Sequence, residues 1–171
     1  MPEQESSNNE ATDYKSVKQQ IEDAFNGTVY PGDNALIDSY GNDWDADRAY
    51  DLIRGRTWKE VASALTPMVH EELYDYLQIF IFLTARAYAY YLPALLLRTL
   101  VNDKQSYDIH VDLLWTMDGE SDYFNDRMKC VANLLTTAQR SAALAYLNYG
   151  MKYFFEFDSD IIKFWEGLQD I

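Results

Sequence analysis

Apolar positions recur at helical spacing along most of this chain, and the breaks between them are built from turn formers and helix caps. Tyr14, Val17, Ile21, Ala24 and Phe25 share one face of a helix that Thr12 or Asp13 caps and that Gly27 ends. The stretch from Gly27 to Asn42, with Tyr30-Pro31-Gly32-Asp33 and Tyr40-Gly41, is rich in turn-forming residues and reads as an ordered loop crossing the core. Ala49, Tyr50, Leu52 and Ile53 predict a second helix from Asp43 to Arg54, closed by Gly55. Thr57-Trp58-Lys59-Glu60 is a capping box that opens a short helix to about Leu65. Thr66-Pro67 predicts the start of a helix through about Leu83, since proline at the first helical position gives up an amide that has no partner there. Its later part, Tyr76 to Leu83, is apolar nearly all round, as in a central buried helix; a strand is the alternative.

The second half follows the same grammar. Thr84 caps a helix that carries Tyr88, Tyr90, Tyr91 and Leu92 to Pro93, and Ala94 to Val101 forms a further helix or a kinked continuation. Residues 106–117, with Ile109, Val111, Leu113, Leu114 and Trp115, fit a short strand or a helical turn equally well. Asp118 to Asp122 reads as a loop. Phe124 and the stretch from Arg127 to Leu135 lead into a second capping box, Thr136-Thr137-Ala138-Gln139, before a helix bearing Ala142, Ala143, Leu144 and Leu147. Asp158-Ser159-Asp160 caps a last helix that docks through Ile161, Ile162, Phe164, Trp165 and Leu168. The expected fold is all-α: one compact bundle of about six to seven helices with long ordered loops over residues 13–171. Residues 1–12 hold three glutamates, no basic side chain and almost nothing apolar, and are expected to form a disordered acidic tail.

Composition agrees with one domain of ordinary size, because 171 residues that are 48% hydrophobic can bury a real core without staples. Charge changes the picture more. Twenty-eight acidic against fourteen basic side chains give a formal charge of −14, which opposes binding to nucleic-acid backbones and anionic membranes. Residues 79–97 are apolar enough to suggest a membrane span, but Arg86 lies within them at a cost of about 2.5–3.5 kcal/mol at the bilayer centre, and Pro93 interrupts them. The single cysteine, Cys130, forms no internal disulfide and reads as a small buried hydrophobe. No secretory leader pattern opens the chain, and the expected location is the cytoplasm.

Candidate chemistry is sparse. Asp43, Asp45, Asp47 and Asp51 occupy calcium-loop positions, but Arg48 stands where the loop needs glycine and Arg54 where it needs a bidentate glutamate. Asp118, Glu120, Asp122 and Asp126 repeat the partial pattern, with Tyr123 and Lys129 at those two places. Both sets therefore read as exposed acidic clusters without a metal. His70-Glu71-Glu72 lacks the second histidine of a zinc helix, because Tyr74 follows at that spacing, and His110 is the only other histidine. No nucleophile elbow, phosphate loop or dinucleotide fingerprint is present, and no cofactor is expected. Two tyrosine groups, Tyr88, Tyr90 and Tyr91 and then Tyr146, Tyr149 and Tyr153, suit half-buried packing, with Arg86 placed among them.

Taken in order, Ile21-Glu22-x-Ala24-Phe25, Tyr30-Pro31-Gly32-Asp33-Asn34, Gly55-Arg56-Thr57-Trp58, Leu83-Thr84, Tyr90-Tyr91-Leu92-Pro93-Ala94 and Leu135-Thr136-Thr137-Ala138-Gln139 resemble a family of small bacterial proteins known only as a domain of unknown function. Ala85 departs from the proline that similar sequences place after the threonine. The resemblance implies one compact domain and supplies no activity; its motif residues are turn formers, caps and aromatics. The functional expectation is a non-enzymatic acidic binding protein, such as an immunity-type or inhibitor protein that covers a basic toxin or effector. Asp43, Asp45, Asp47, Asp118, Glu120 and Asp122 are expected to face that partner. The alternatives are an enzyme whose site assembles His70 or His110 with carboxylates and Arg86, or an acidic mimic of nucleic acid.

Overall fold

A computed structural model of the protein describes residues 2–37, 44–68, 79–101, 122–154 and 160–167. Within them lie seven α-helices: α1 (Pro2–Ala24), α2 (Trp44–Ile53), α3 (Trp58–Leu65), α4 (Ala85–Thr99), α5 (Asp122–Leu134), α6 (Thr137–Tyr153) and α7 (Asp160–Gly167). Short 3-10 turns occupy Asp33–Ala35 and Ile79–Phe82, and Ile37 pairs with Leu83 in a single antiparallel bridge. The all-α single domain expected from the periodicity is the one observed.

Helix α4 is the axis of the bundle. From Ala87 through Leu96 every residue is buried, so the helix is apolar all round and must be covered on all sides. Helices α1, α3 and α5 pack directly against it. Helix α6 lies along α1 and carries α7 on its other side, and α2 meets the turn at Ile79–Phe82. Val17, Ile21 and Phe25 of the α1 stripe, Trp58, Val61 and Leu65 of α3, and Met128, Val131 and Ala132 of α5 all enter one core. Pro93 gives up the amide that would bond the Ala89 carbonyl, yet the helix continues around it to Thr99, because burial on every side holds the segment helical. Of the two forms expected beyond Pro93, the continuation is the one adopted.

Three caps form as their spacing predicts. The Thr57 and Thr136 boxes close reciprocally, with Glu60 and Gln139 side chains accepting from the cap amides at 2.7 and 2.9 Å. Thr84 accepts from the Ala87 amide at 3.1 Å. Gly27 and Gly55 have φ of 81° and 68°, the left-handed exits that follow α1 and α2.

Two expectations differ from what is found. Segment 2–12, expected to lack regular structure, is helical and continues α1 from Pro2. Once the apolar part of a helix is nucleated by packing, extension by further residues costs little. Thr66-Pro67 forms a turn directly after α3. Thr66 caps the C-terminal end of α3, with its amide bonded to the Ala62 carbonyl, and the Met68 amide turns back to Leu65. The helix expected beyond it and the strand-or-helix segment 106–117 fall largely or wholly outside the described residues, and Ile79–Phe82 is a 3-10 turn.

Thr84 joins two parts of the fold, since its hydroxyl also donates to the Ala35 carbonyl at 2.7 Å and its amide to the Leu36 carbonyl at 3.0 Å. Thr84→Val keeps the shape but removes the cap and leaves the Ala35 carbonyl without this donor. We expect a loss of about 2–3 kcal/mol in urea unfolding, with Thr84→Ser close to wild type.

Candidate functional site

The polar side chains of the sequence motifs converge on the segment from Phe25 to Ile37, which crosses the bundle with little regular structure. Backbone groups in such a segment need partners that no helix supplies. Each motif contributes one. The Trp58 indole donates to the Phe25 carbonyl at 3.2 Å, and the Gln139 amide donates to the Thr28 hydroxyl at 3.3 Å. Thr28 in turn donates to the Phe25 carbonyl at 2.7 Å. Thr84 supplies the far end of the crossing through Ala35 and Leu36.

At the middle of the crossing, Tyr30 donates to the Asp33 carboxylate, and the Gly55 amide reaches both, at 2.9 Å to the Tyr30 hydroxyl and 3.2 Å to Asp33. The Tyr91 hydroxyl lies 2.8 Å from the carbonyls of Ile53 and of Arg56, on the same connection between α2 and α3. Tyr90 stands edge-on to both neighbours, 5.6 Å from Tyr30 and 4.9 Å from Tyr91. Burial raises all three phenols above the usual tyrosine range, and Asp33 beside Tyr30 pushes that hydroxyl the same way. They are neutral hydrogen-bonding groups at any physiological pH, and they hold a turn.

Arginine performs a related task at three helix or turn ends. Arg98 of α4 is buried and donates to the carbonyls of Leu65 and Met68, at 3.0 and 3.2 Å, where α3 ends. Arg140 of α6 is buried and donates to Ala132 and Leu135, both at 3.2 Å, where α5 ends; its Nε has no partner among the described residues. Arg127 of α5 donates to Phe80 at 2.8 Å and to Leu83, closing the 3-10 turn, and lies over the Tyr88 ring at 5.4 Å. Terminal carbonyls carry the negative end of a helix, so a guanidinium with several donors is well matched to them.

A second polar group sits between α1 and α6. Asp13 accepts from Lys152 and from the Tyr153 hydroxyl, each at 2.7 Å, and the Lys152 ammonium lies 4.8 Å from the Tyr153 ring centre. The hydrogen bond from Lys152, followed by that from Tyr153, holds the Asp13 carboxyl below its ordinary value. Asp13 and then Tyr153 push Lys152 above the usual lysine range. Tyr149 packs 4.9 Å from Tyr153 and 5.1 Å from Phe154; burial, followed by the nearby charge of Glu10, pushes its hydroxyl up to about 12. An open groove of about 600 Å3 runs between α1 and α3, lined by Tyr14, Lys18, Asp23, Trp58, Lys59 and Leu97 among others.

The residues expected to meet a partner are placed unevenly. Asp47 is exposed on α2; Asp45 also falls in α2, and Asp122 is the first residue of α5. Asp43, Asp118, Glu120, His70 and His110 lie outside the described residues. Arg86 is not among the tyrosines. It is exposed in the first turn of α4, on the side away from the core, and Arg127 takes the place over Tyr88. Cys130 is exposed on α5, because the buried stripe there runs through Met128, Val131 and Ala132. Two of these arginine roles carry a sequence signal, since Arg98 lies within an apolar run and Arg140 directly after a capping box; Arg127, between Asp126 and Met128, carries none. Among the described residues no three His, Cys, Asp or Glu side chains gather as a metal site requires, and no helix is long and apolar enough to cross a membrane.

A single all-α domain whose motif residues pin one crossing segment is the class that this fold defines. The chain belongs to the family of unknown function DUF6714, whose family model matches residues 13–166. No curated protein and no solved structure matches it.

The phenols imply an alkaline limit. Tyr149 ionises near 10 when unfolded and at about 12 when folded, so its contribution is complete below pH 10 and is lost as pH rises toward 12. Tyr91 and Tyr146 are raised further by burial and act in the same direction. We expect stability to fall steeply from pH 10 to 12 in denaturant titrations. Tyr149→Phe should make that fall shallower, with ionisation followed by phenolate absorbance.

Proposed function

We propose that the protein is a non-enzymatic acidic binding protein whose partner is a basic protein, in the manner of an immunity-type or inhibitor protein that neutralises a toxin or effector. The observation that carries this reading is how the described polar side chains are used. Thr84, Trp58, Tyr91, Gln139, Arg98, Arg127 and Arg140 bond to the protein's own backbone or caps, so the motifs build a scaffold rather than a reaction centre. Two of the fourteen cations, Arg98 and Arg140, are also withdrawn into the core, which sharpens the acidity that a partner meets. A net charge of −14 steers a basic partner toward the surface before any contact forms. The partner face assigned to this reading comprises Asp43, Asp45, Asp47, Asp118, Glu120 and Asp122, and the location that goes with it is the cytoplasm.

The test is charge reversal of both clusters to lysine in the full chain, with binding to a partner captured from the native cell measured over a salt series. We expect the association rate to fall by about 10- to 100-fold at low salt, and the difference to shrink as salt rises. Binding that is unchanged by the reversal and insensitive to salt removes this reading.

A further inference from the structure

We infer that the junction of α5 and α6 is a binding site for a phosphate group, gripped by the buried Arg140 and by the first turn of α6. The observation that points there is an orphaned donor. Arg140 is 6% exposed, its Nη1 is taken by the Ala132 and Leu135 carbonyls, and its Nε meets no acceptor among the described residues. Among the described residues no carboxylate pairs with this guanidinium either, in a chain with twice as many acids as bases. A buried donor and a buried charge are both costly to leave uncompensated, and an anion satisfies the two together. Nε and Nη2 form one edge of the guanidinium, the edge whose parallel donors take two oxygens of one oxyanion. That edge is directed at the start of α6, since Nη2 donates to the Thr137 hydroxyl at 3.4 Å.

Helix α6, 17 residues long, supplies the other donors. The Gln139 amide is bound by the Thr136 hydroxyl at 3.3 Å and the Arg140 amide by the Thr136 carbonyl at 2.9 Å. The amides of Thr137 and Ala138, the first of the helix, have no acceptor within it and sit at its positive end, where phosphate groups bind. Both residues are exposed, so the site opens to solvent on this side. The contact from Nη2 to Thr137 is at the long limit of a hydrogen bond. A rotation of the exposed threonine frees the guanidinium edge and turns its hydroxyl onto the incoming anion. The Arg140 edge, the Thr137 hydroxyl and the two amides offer more donors than the two oxygens of a carboxylate can use, and they suit the free oxygens of phosphate or a phosphate monoester. The net charge of −14 repels a nucleic-acid backbone along its whole length, whereas a small anion at contact distance meets chiefly the guanidinium. The site does not rest on the basic-partner reading.

The experiment titrates the full chain with inorganic phosphate at constant ionic strength, following the Arg140 Nε–Hε signal by NMR. The expected result is a saturable movement of that signal by phosphate, none by chloride, and binding of acetate weaker by about tenfold or more. Thr137→Pro removes a hydroxyl and an amide from the site, yet proline suits the first helical position and the preceding Thr136 is already extended at ψ 161°. This variant should keep its circular dichroism and bind phosphate weaker by about tenfold or more. Thr137→Val stands in if the proline variant loses its fold, with a loss of about threefold or more from the hydroxyl alone, and Thr137→Ser should bind as the wild type does. A capped phosphoserine peptide separates the sources: affinity above that of inorganic phosphate assigns a phosphoryl group carried by a protein, and equal or lower affinity assigns the free anion. The proposal is overturned if phosphate leaves the Arg140 signal in place, if the folded Thr137 variants lacking the hydroxyl bind as the wild type does, or if Nε–Hε shows only a buried water that phosphate does not displace.

Discussion

The structure depends on satisfying the backbone of one irregular segment. Residues 25–37 join the helices with only a 3-10 turn at Asp33–Ala35 and one bridge at Ile37, and the carbonyls that packing covers there, at Phe25 and Leu36, would each cost on the order of 1–3 kcal/mol if left unpaired. Trp58 and Thr28 side chains supply the Phe25 carbonyl, the Thr84 hydroxyl and amide supply the Ala35 and Leu36 carbonyls, and Gln139 and the Gly55 amide tie down the side chains of Thr28, Tyr30 and Asp33. Because each donor belongs to a different part of the chain, forming the crossing correctly also sets where those elements sit. The sequence motifs are spread over more than a hundred residues, from Tyr30 to Gln139, yet they describe one place in space.

The same economy governs charge. A protein with twice as many acids as bases uses three arginines to close helix and turn ends, where their donors meet carbonyls. Arginine suits this because its charge is permanent and its donors fan out in one plane. A lysine at Arg98 would reach one carbonyl and leave another without a donor. The acidic groups meanwhile occupy exposed positions such as Asp47, Asp51, Asp126 and Glu166, where water solvates them. Core and surface thus divide the titratable side chains by what each charge can bond.

Tyrosine links the two halves of the bundle. Tyr91 ties α4 to the α2–α3 connection, Tyr146 shares a hydrogen bond of 2.8 Å with Thr99 of α4, and Tyr153 ties α6 to α1. Each ring fills core volume while its hydroxyl reaches a polar group at the edge of the core. The groups around Tyr88–Tyr91 and Tyr146–Tyr153 belong to one packed body joined through α4 and α6.

Much of this was legible from sequence because it is local. Caps at Thr57, Thr84 and Thr136, left-handed glycines at Gly27 and Gly55, and the stripes of α1, α3 and α6 are determined by interactions within four residues, so spacing alone identifies them. The family motifs could be recognised as structural parts for the same reason. What only the tertiary structure decided is non-local. Pro93 stays inside one helix because the bundle surrounds it; the end of α3 is held by Arg98, which meets the Leu65 and Met68 carbonyls from thirty-odd residues away; and Arg127 rather than Arg86 covers Tyr88. Spacing along the chain does not state which distant carbonyl a guanidinium will reach. That choice is made by packing, when the burial of α4 brings the ends of its neighbours against it.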